Sequence, residues 1–272
     1  MSSAFFLPAE PGNRFCIYHP SVHNGAGRGL VYAHPFCEEM NKARRMAALQ
    51  SRRLAAAGYA VLQIDLFGCG DSSGDFADSR WGIWKQDLQF ALGWLKSRVD
   101  GPLGLWGLRL GAMLAADVAR DPTMGIEHLL LWQPVSNGEQ FLTQFLRLRL
   151  AAEMLAEGTA QSGVRELRET LARGVPLEIA GYDLHPRLAS EIDALSLADL
   201  VPAVKRVHCL EVTATAEPKL SPASQRALEA WRLKGLDVRA AAVRGDPFWS
   251  TIEVTECEAL LAATEGSLRG AY

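Results

Sequence analysis

The chain has 272 residues and a mass of 29.7 kDa, and 49% of its residues are hydrophobic, so it can bury a core without a stabilising metal or disulfide. Its formal net charge of −3 and pI of about 6.1 give no support to a nucleic-acid-binding role. The five cysteines form no C-x-x-C pair and no Cys/His cluster, which argues against a zinc site and favours a reducing compartment. The sequence therefore predicts neither a metal nor a cofactor.

No targeting or membrane segment is predicted. Residues 1–8 lack a basic region followed by a long apolar stretch, so they do not have the pattern of a signal peptide. No apolar run approaches the roughly 20 residues needed to span a bilayer. These features predict a cytoplasmic protein without a transmembrane segment.

Strands and helices are predicted to alternate over most of the chain. Strands at 15–19 and 29–34 flank a Gly-rich turn at Gly25-Ala26-Gly27, and a helix over 38–57 precedes a continuous apolar strand at 59–67. Further predicted elements are a helix over 81–98, a strand at 103–106, a helix over 110–120, strands at 126–135 and 207–213, a helix near 221–234, a strand at 238–243 and a last helix over 251–263. This order predicts a mostly parallel sheet with helices on both faces.

The alternation pauses over residues 137–200, where a wide apolar stripe recurs at helical spacing. Such a face predicts contact with two surfaces at once, such as the core and a lid, cleft or partner subunit. We predict a helical cap inserted into an α/β core, with the core at 1–136 and 201–272. The members of the stripe are Phe141, Phe145, Leu148, Ala152 and Leu155.

The segment Gly107-Leu108-Arg109-Leu110-Gly111 lies between a predicted strand and a predicted helix. It has the frame of a nucleophile elbow, G-x-S-x-G, which is a strained strand-to-helix turn of α/β-hydrolases. Arginine stands where the serine is expected, and a guanidinium stays protonated and cannot attack an acyl carbon. The sequence thus predicts the α/β-hydrolase fold with its nucleophile lost.

The two other triad positions can be located by chain order, because an acid and then a histidine follow the nucleophile. Glu217 stands where the acid is expected, but no histidine lies beyond His208. Phe248 and Trp249 occupy the loop expected to carry the histidine, and either fill the vacated space or form the wall of an apolar acyl or isoprenoid pocket. Without nucleophile and base, conventional serine-hydrolase catalysis is not expected.

An oxyanion hole is still predicted, from the backbone N–H groups of Leu110 and Phe36. Arg109 at a helix N-terminus would add positive charge there, which predicts a seat for a carboxylate or phosphate. The alternative is internal pairing, because a buried arginine needs a partner. The candidate partners are Glu38, Glu39, Asp75 and Glu217.

Cys37 and His34, which precede the predicted helix at 38–57, are candidates for an unconventional mechanism. Cys37 is a possible substitute nucleophile if His34 or Arg109 lowers its pKa, or else a small buried apolar residue. His34 is a possible base, or it orients its own loop through a hydrogen bond. Glu217 is the candidate for orienting a water.

Seven segments together resemble one family, over nearly the whole chain. The segments are HPFCEEMNK at 34–42, RRM at 44–46, DLFGCGDS at 65–72, GLRLG at 107–111, WQPV at 132–135, QFLRLR at 144–149 and PFW at 247–249. The chain resembles the exosortase A system-associated hydrolase 2 family, α/β-hydrolase relatives linked with PEP-CTERM protein sorting and exopolysaccharide production. The resemblance implies a bacterial cytoplasmic protein working near envelope polysaccharide synthesis, without fixing a reaction.

Two functional hypotheses follow. In the first, the protein is a pseudoenzyme that binds a small acylated or anionic ligand as an accessory component of exopolysaccharide assembly. In the second, it is an active acyl hydrolase, thioesterase or acyltransferase that uses Cys37, or a water oriented by Glu217. Association with itself or with envelope-biosynthesis proteins stays open in both.

Overall fold

The computed structural model describes residues 2–22, 27–157 and 163–269. Gly25 and Ala26 of the predicted turn, and residues 158–162 of the predicted cap, lie outside the described residues. None of the helices in these three ranges is both long enough and apolar enough to cross a membrane.

The described residues form ten strands and eight α-helices. The strands are β1 Ser3–Pro8, β2 Asn13–His19, β3 Arg28–Ala33, β4 Tyr59–Ile64, β5 Leu103–Leu108, β6 Ile126–Trp132, β7 Leu177–Ile179, β8 Tyr182–Leu184, β9 Arg206–Thr213 and β10 Asp237–Arg244. The helices are α1 Glu38–Ala56, α2 Trp81–Lys96, α3 Leu110–Val118, α4 Gly138–Glu157, α5 Val164–Ala172, α6 Pro186–Asp193, α7 Pro222–Leu233 and α8 Glu258–Arg269.

Eight of the strands form one sheet in the order β1-β2-β4-β3-β5-β6-β9-β10. The β1–β2 and β2–β4 pairs are antiparallel, and every pair from β4 to β10 is parallel. At the end of the β3–β5 ladder, Ala33 is paired with Gly107. This register places the loop after β3 directly beside the segment after β5, where the candidate site lies.

Helices cover both faces of the sheet, as predicted. On one face, α1 and α8 bury Met46, Leu54 and Leu261 in a common cluster with side chains of the central strands. On the other face, α2, α3 and α7 contribute Leu88, Met113 and Leu228 to a second cluster. The near-continuous apolar strands follow from this burial, because a parallel sheet between two helical layers has no solvent-facing side.

A buried ion pair connects β2 to α2. Arg14 Nε donates to Asp87 Oδ1 at 2.6 Å, and both side chains are fully buried. Asp87 Oδ2 accepts a hydrogen bond from Phe67 N at 2.7 Å, and the Arg14 guanidinium lies 4.7 Å from the centre of the Phe67 ring. Burial raises the pKa of Asp87 to about 6, although Arg14 and the Phe67 N–H oppose the shift.

Three predictions about elements were incomplete or wrong. β1, which pairs with β2, was not predicted, and the segment between β6 and β9 contains the hairpin β7–β8 as well as helices. The last helix begins at Glu258, not at residue 251. Thr251 Oγ1 bonds to the carbonyl oxygens of Phe248 and Glu253, and such side-chain bonds to nearby backbone compete with helix formation.

Candidate functional site

Arg109 occupies a strained turn between β5 and α3. Its φ of 56° and ψ of −119° lie in a region that residues with a side chain rarely adopt. Neighbouring backbone holds it there: Arg109 N donates to Trp132 O at 3.0 Å, and Val135 N donates to Arg109 O at 3.2 Å. The turn therefore has elbow geometry although arginine stands at its centre.

The two glycines of the elbow frame are required by close packing. A Cβ on Gly107 would lie 2.4 Å from Ala112 Cα, and one on Gly111 would lie 2.3 Å from His34 O. Both distances are far below van der Waals contact. Gly107 thus lets the start of α3 lie against the end of β5, and Gly111 lets it lie against the end of β3.

The Arg109 side chain is paired inside the protein. Its Nε donates to Glu39 Oε1 at 3.1 Å, and the two side chains are only 19% and 14% exposed. On its other side, the guanidinium carbon lies 5.5 Å from the centre of the Trp249 ring, within cation–π range. Of the four acids considered as partners, Glu39 is the one in contact.

Glu38 and Glu39 form the first turn of α1, where the helix dipole favours negative charge. Burial raises the pKa of Glu39, and the adjacent Arg109 opposes the rise. The Oε2 atoms of both glutamates are buried without a hydrogen-bond partner in the described residues. The site therefore contains carboxylate oxygens that still need donors.

A cavity of about 360 Å³ opens beside the Arg109–Glu39 pair. Its polar lining residues are Glu38, Glu39, Lys42, Arg109, Gln144 and Ser250, and its apolar ones are Phe36, Phe141, Phe145, Leu148 and Trp249. Four of these residues belong to α4, so the predicted apolar stripe does contact a cleft as well as the core. The cavity combines a charged end with an aromatic and aliphatic wall.

A second cavity, of about 160 Å³, is also lined by Arg109 and includes Glu211 in its lining. Glu211 is 3% exposed and accepts from Ser221 N at 2.6 Å and Ser221 Oγ at 3.1 Å. Ser221 is the N-cap of α7, so this carboxylate fixes the start of that helix. Nothing in the strand pattern of β9 distinguishes Glu211 as a buried acid.

His34 orients the loop that follows β3. Its Nδ1 lies 2.7 Å from Pro35 O, and its Nε2 accepts from Leu66 N at 3.1 Å. Because both ring nitrogens are engaged, the ring is neutral with the proton on Nδ1. Burial lowers its pKa, which keeps it neutral. The loop-orienting interpretation fits this geometry, and the role of base does not.

Cys37 is 4% exposed and precedes α1 with a φ of 49°. Burial raises the pKa of its thiol well above the ordinary value, which is the opposite of what a nucleophile needs. It lines a cavity of about 10 Å³ together with Phe36 and Leu110. Neither the Phe36 nor the Leu110 N–H has an acceptor among the hydrogen bonds of the described residues, and the oxyanion hole stays a prediction.

The structure does not bring Glu217 to the elbow. Its side chain is 84% exposed and is paired with Lys219 at 3.1 Å. Thr215 Oγ1 bonds to Glu217 O at 3.0 Å and thereby holds the turn that directs this residue outward. The acid position identified by chain order is therefore at the surface, and Glu217 lines neither cavity beside Arg109.

Phe248 and Trp249 take different positions. Trp249 is among the residues that line the larger cavity. Phe248 is fully buried and packs against Trp132 with ring centres 6.2 Å apart, and it is not among the residues that line either cavity beside Arg109.

Solved structures match this chain over nearly its full length. Est1E from Butyrivibrio proteoclasticus, solved with ferulic acid bound, has a TM-score of 0.67 at 15% identity, covering 98% of each chain. The chain has the α/β-hydrolase fold. A thermostable carboxyl esterase from Bacillus coagulans, in complex with glycerol, has a TM-score of 0.66 at 12% identity, over 99% of this chain and 98% of the esterase.

A third similar structure is α/β hydrolase domain-containing protein 10 from mouse, with a TM-score of 0.59 at 17% identity over 99% of this chain and 100% of the mouse protein. At these identities the likeness establishes the fold alone. No protein-family model matches the chain, and no curated protein matches it. The function must therefore be argued from the site.

Proposed function

We propose that this protein is a ligand-binding member of the α/β-hydrolase fold that has lost its catalytic triad. Following the family resemblance, it would act in the cytoplasm as an accessory component of exosortase- and PEP-CTERM-linked exopolysaccharide production. The observation that carries the proposal is Arg109, which occupies the elbow and is held by Glu39 and Trp249 at the edge of a 360 Å³ cavity.

The candidate groups for covalent or base catalysis support this proposal by their environments. The Cys37 thiol has a raised pKa, and both nitrogens of His34 are already bonded within the loop. Glu217 is exposed and is not among the residues that line the cavity. None of these three residues combines a nucleophile with an adjacent base, which acyl transfer by a covalent route requires.

The cavity favours an acylated ligand over a simple anion. Glu39 already neutralises Arg109, and Glu38 adds negative charge next to it. Phe141, Phe145 and Leu148 provide an apolar wall suited to a hydrocarbon chain. The sequence left both an acylated and an anionic ligand open, and we therefore propose the acylated one.

One observation favours a second candidate, an acyl hydrolase, thioesterase or acyltransferase. Among the described residues, the Phe36 and Leu110 N–H groups have no acceptor, and the Glu39 carboxylate, whose pKa is raised by burial, lines the same cavity as Phe36. In this alternative, Glu39 would deprotonate a water that attacks an acyl carbon. Neither Cys37 nor Glu217 would then be required.

The test is turnover of a panel of p-nitrophenyl esters and acyl-CoA thioesters by the purified protein. We expect no rate above buffer for the wild type or for Arg109→Ala and Cys37→Ala. Turnover that increases with protein concentration and disappears in Glu39→Gln would overturn the proposal and establish the alternative. Glu166→Gln, which changes an exposed glutamate of α5, is the matched control.

A further inference from the structure

Two carboxylate oxygens at the charged end of the cavity, Glu38 Oε2 and Glu39 Oε2, have no hydrogen-bond donor among the described residues. Among the described residues, no group donates to Glu38, and Glu39 Oε2 also has no partner, since Oε1 alone bonds to Arg109. An ionised carboxylate can only accept hydrogen bonds. Leaving a buried acceptor unsatisfied is unfavourable, so a bound group that donates would be favoured here.

The charge balance at this end disfavours an anionic head group. Two cations line the cavity, and Arg109 is already neutralised by Glu39. The other, Lys42, extends to the exposed Ser250 O at 3.5 Å, which places its ammonium at the rim. Glu38 forms no ion pair with any described residue. A phosphate or carboxylate placed there would meet repulsion, whereas hydroxyls or an ammonium would meet acceptors.

The apolar wall continues from the cavity to the protein surface along α4. Phe141 and Phe145 are 8% and 5% exposed, whereas Leu148 is 40% and Leu155 is 90% exposed. These residues share one face of the helix, and seven residues correspond to about 10 Å of helix length. This stripe of large apolar side chains extends from the cavity to the protein surface. A hydrocarbon chain of a ligand bound in the cavity would cover it.

We propose that the cavity binds a single-chain amphiphile whose head group donates hydrogen bonds and carries no negative charge. Glu38 and Glu39 receive the head group, and the hydrocarbon chain passes Phe145 and Leu148 and runs along α4 towards Leu155. The inference rests on the proposed binding function and specifies its ligand class. Two kinds of head group donate hydrogen bonds and carry no negative charge, namely a polyol and an amine.

The head group is tested by calorimetric titration with octyl glucoside, octylamine and octyl sulfate, each below its critical micelle concentration. We expect octyl glucoside or octylamine to bind at least tenfold more tightly than octyl sulfate. Glu38→Gln should weaken octylamine at least fivefold but change octyl glucoside less than threefold, because the amide oxygen still accepts from a hydroxyl. Glu166→Gln should change neither.

The hydrocarbon path is tested with the tighter head group on butyl, hexyl and octyl chains. Each added methylene should tighten binding by about two- to fourfold, the range for partial to full burial of a CH₂ group. Leu148→Ser should reduce the gain from hexyl to octyl by at least half. Leu233→Ser, which alters an 80% exposed leucine at the end of α7, should leave the series unchanged.

The outcomes separate this inference from the proposed function. Tighter binding of octyl sulfate than of the other two probes, a flat chain-length series, or no binding of any probe would each overturn the inference. None of the probes contains a carboxylic ester or thioester, so their binding does not depend on acyl turnover. Hydrolysis in the ester and thioester panel would overturn the proposed function instead.

Discussion

The Arg109 guanidinium carbon lies 5.5 Å from the centre of the Trp249 ring. These residues occupy the places where chain order leads one to expect the nucleophile and the general base of a hydrolase. A cation held over an aromatic face contributes about 0.5–2 kcal/mol, more when it is desolvated. Arg109 and Trp249, the two residues that depart from the hydrolase pattern, are therefore in contact with each other. Glu39 also forms an ion pair with Arg109.

Restoring serine alone should not restore hydrolysis. Arg109→Ser supplies a hydroxyl at the elbow, but Trp249 stands where the base would be and His34 is bonded through both ring nitrogens. We expect p-nitrophenyl butyrate turnover by Arg109→Ser to stay within threefold of the Arg109→Ala background. A rate tenfold or more above that background would show that a base is present near the elbow.

Gly111, the second glycine of the elbow, is not expected to tolerate a side chain. Gly111→Ala would place Cβ 2.3 Å from His34 O and 2.4 Å from Ala33 O, both backbone atoms that cannot move independently. We expect the free energy of unfolding in urea to fall by at least about 2 kcal/mol. Gly93→Ala is the control, because its Cβ would meet nothing within 4 Å in α2, and alanine is favoured there by up to about 1 kcal/mol. Equal effects of the two changes would contradict the close packing.

Much of the architecture follows from sequence patterns, because the strands buried on both faces are nearly continuous apolar runs. The elbow frame was equally visible, since close approach demands Gly107 and Gly111. β1 was missed because its short pattern has little apolar alternation, and its pairing with β2 is a long-range property. The start of α8 was misplaced because side-chain bonds of Thr251 compete with the helix.

The buried Arg14–Asp87 pair should be a large contributor to fold integrity. Asp87→Ala leaves Arg14 buried without its counter-ion and removes the acceptor for Phe67 N. We expect a loss of about 3–5 kcal/mol in the free energy of unfolding. Glu169→Ala breaks an exposed pair with Arg165 and should cost less than about 0.5 kcal/mol. A loss below 1 kcal/mol for Asp87→Ala would refute this role.

His208 should make stability fall in mild acid. Burial lowers the pKa of this 1% exposed side chain to about 4, and neither ring nitrogen has a partner in the described residues. Between about pH 6.5 and 4, the unfolded chain therefore binds more protons at this residue than the folded protein does, and stability decreases as the pH falls.

The corresponding measurement is chemical denaturation at pH 7 and pH 5 for the wild type and His208→Gln. The variant lacks the titrating ring, so its loss of stability between the two pH values should be smaller by about 2 kcal/mol. Comparing the two proteins cancels the opposite contribution of Asp87, whose pKa is raised. An identical pH dependence of stability in both proteins would exclude His208 as a cause of the loss of stability in mild acid.

The cysteines should be unreactive in the native protein. Burial raises the pKa of all five thiols, including Cys37 in the loop beside the elbow. We expect iodoacetamide at pH 7.5 to label none of them within an hour, and all of them after unfolding in guanidinium, as read by mass spectrometry. Rapid native alkylation confined to Cys37 would instead support its role as a nucleophile.

The site was less predictable than the fold, because its partners come from distant parts of the chain. Glu39 was one of four candidate partners of Arg109, and only the register of β3 and β5 places it opposite the elbow. Glu217 satisfied the chain order, yet a local turn directs it outward. Gln144 and Glu211 carried no signal, since one lies between apolar helix positions and the other within a strand.

The central claim, that the site beside Arg109 binds an acylated molecule without cleaving it, is tested most directly with 6-O-octanoylglucose. The protein would be incubated with this ester, separated by gel filtration, and analysed by mass spectrometry for bound ester and free octanoate. We predict that the ester is recovered intact in the protein fraction, and that octanoate does not exceed the level in a protein-free control. Release of octanoate in proportion to protein concentration would contradict the claim.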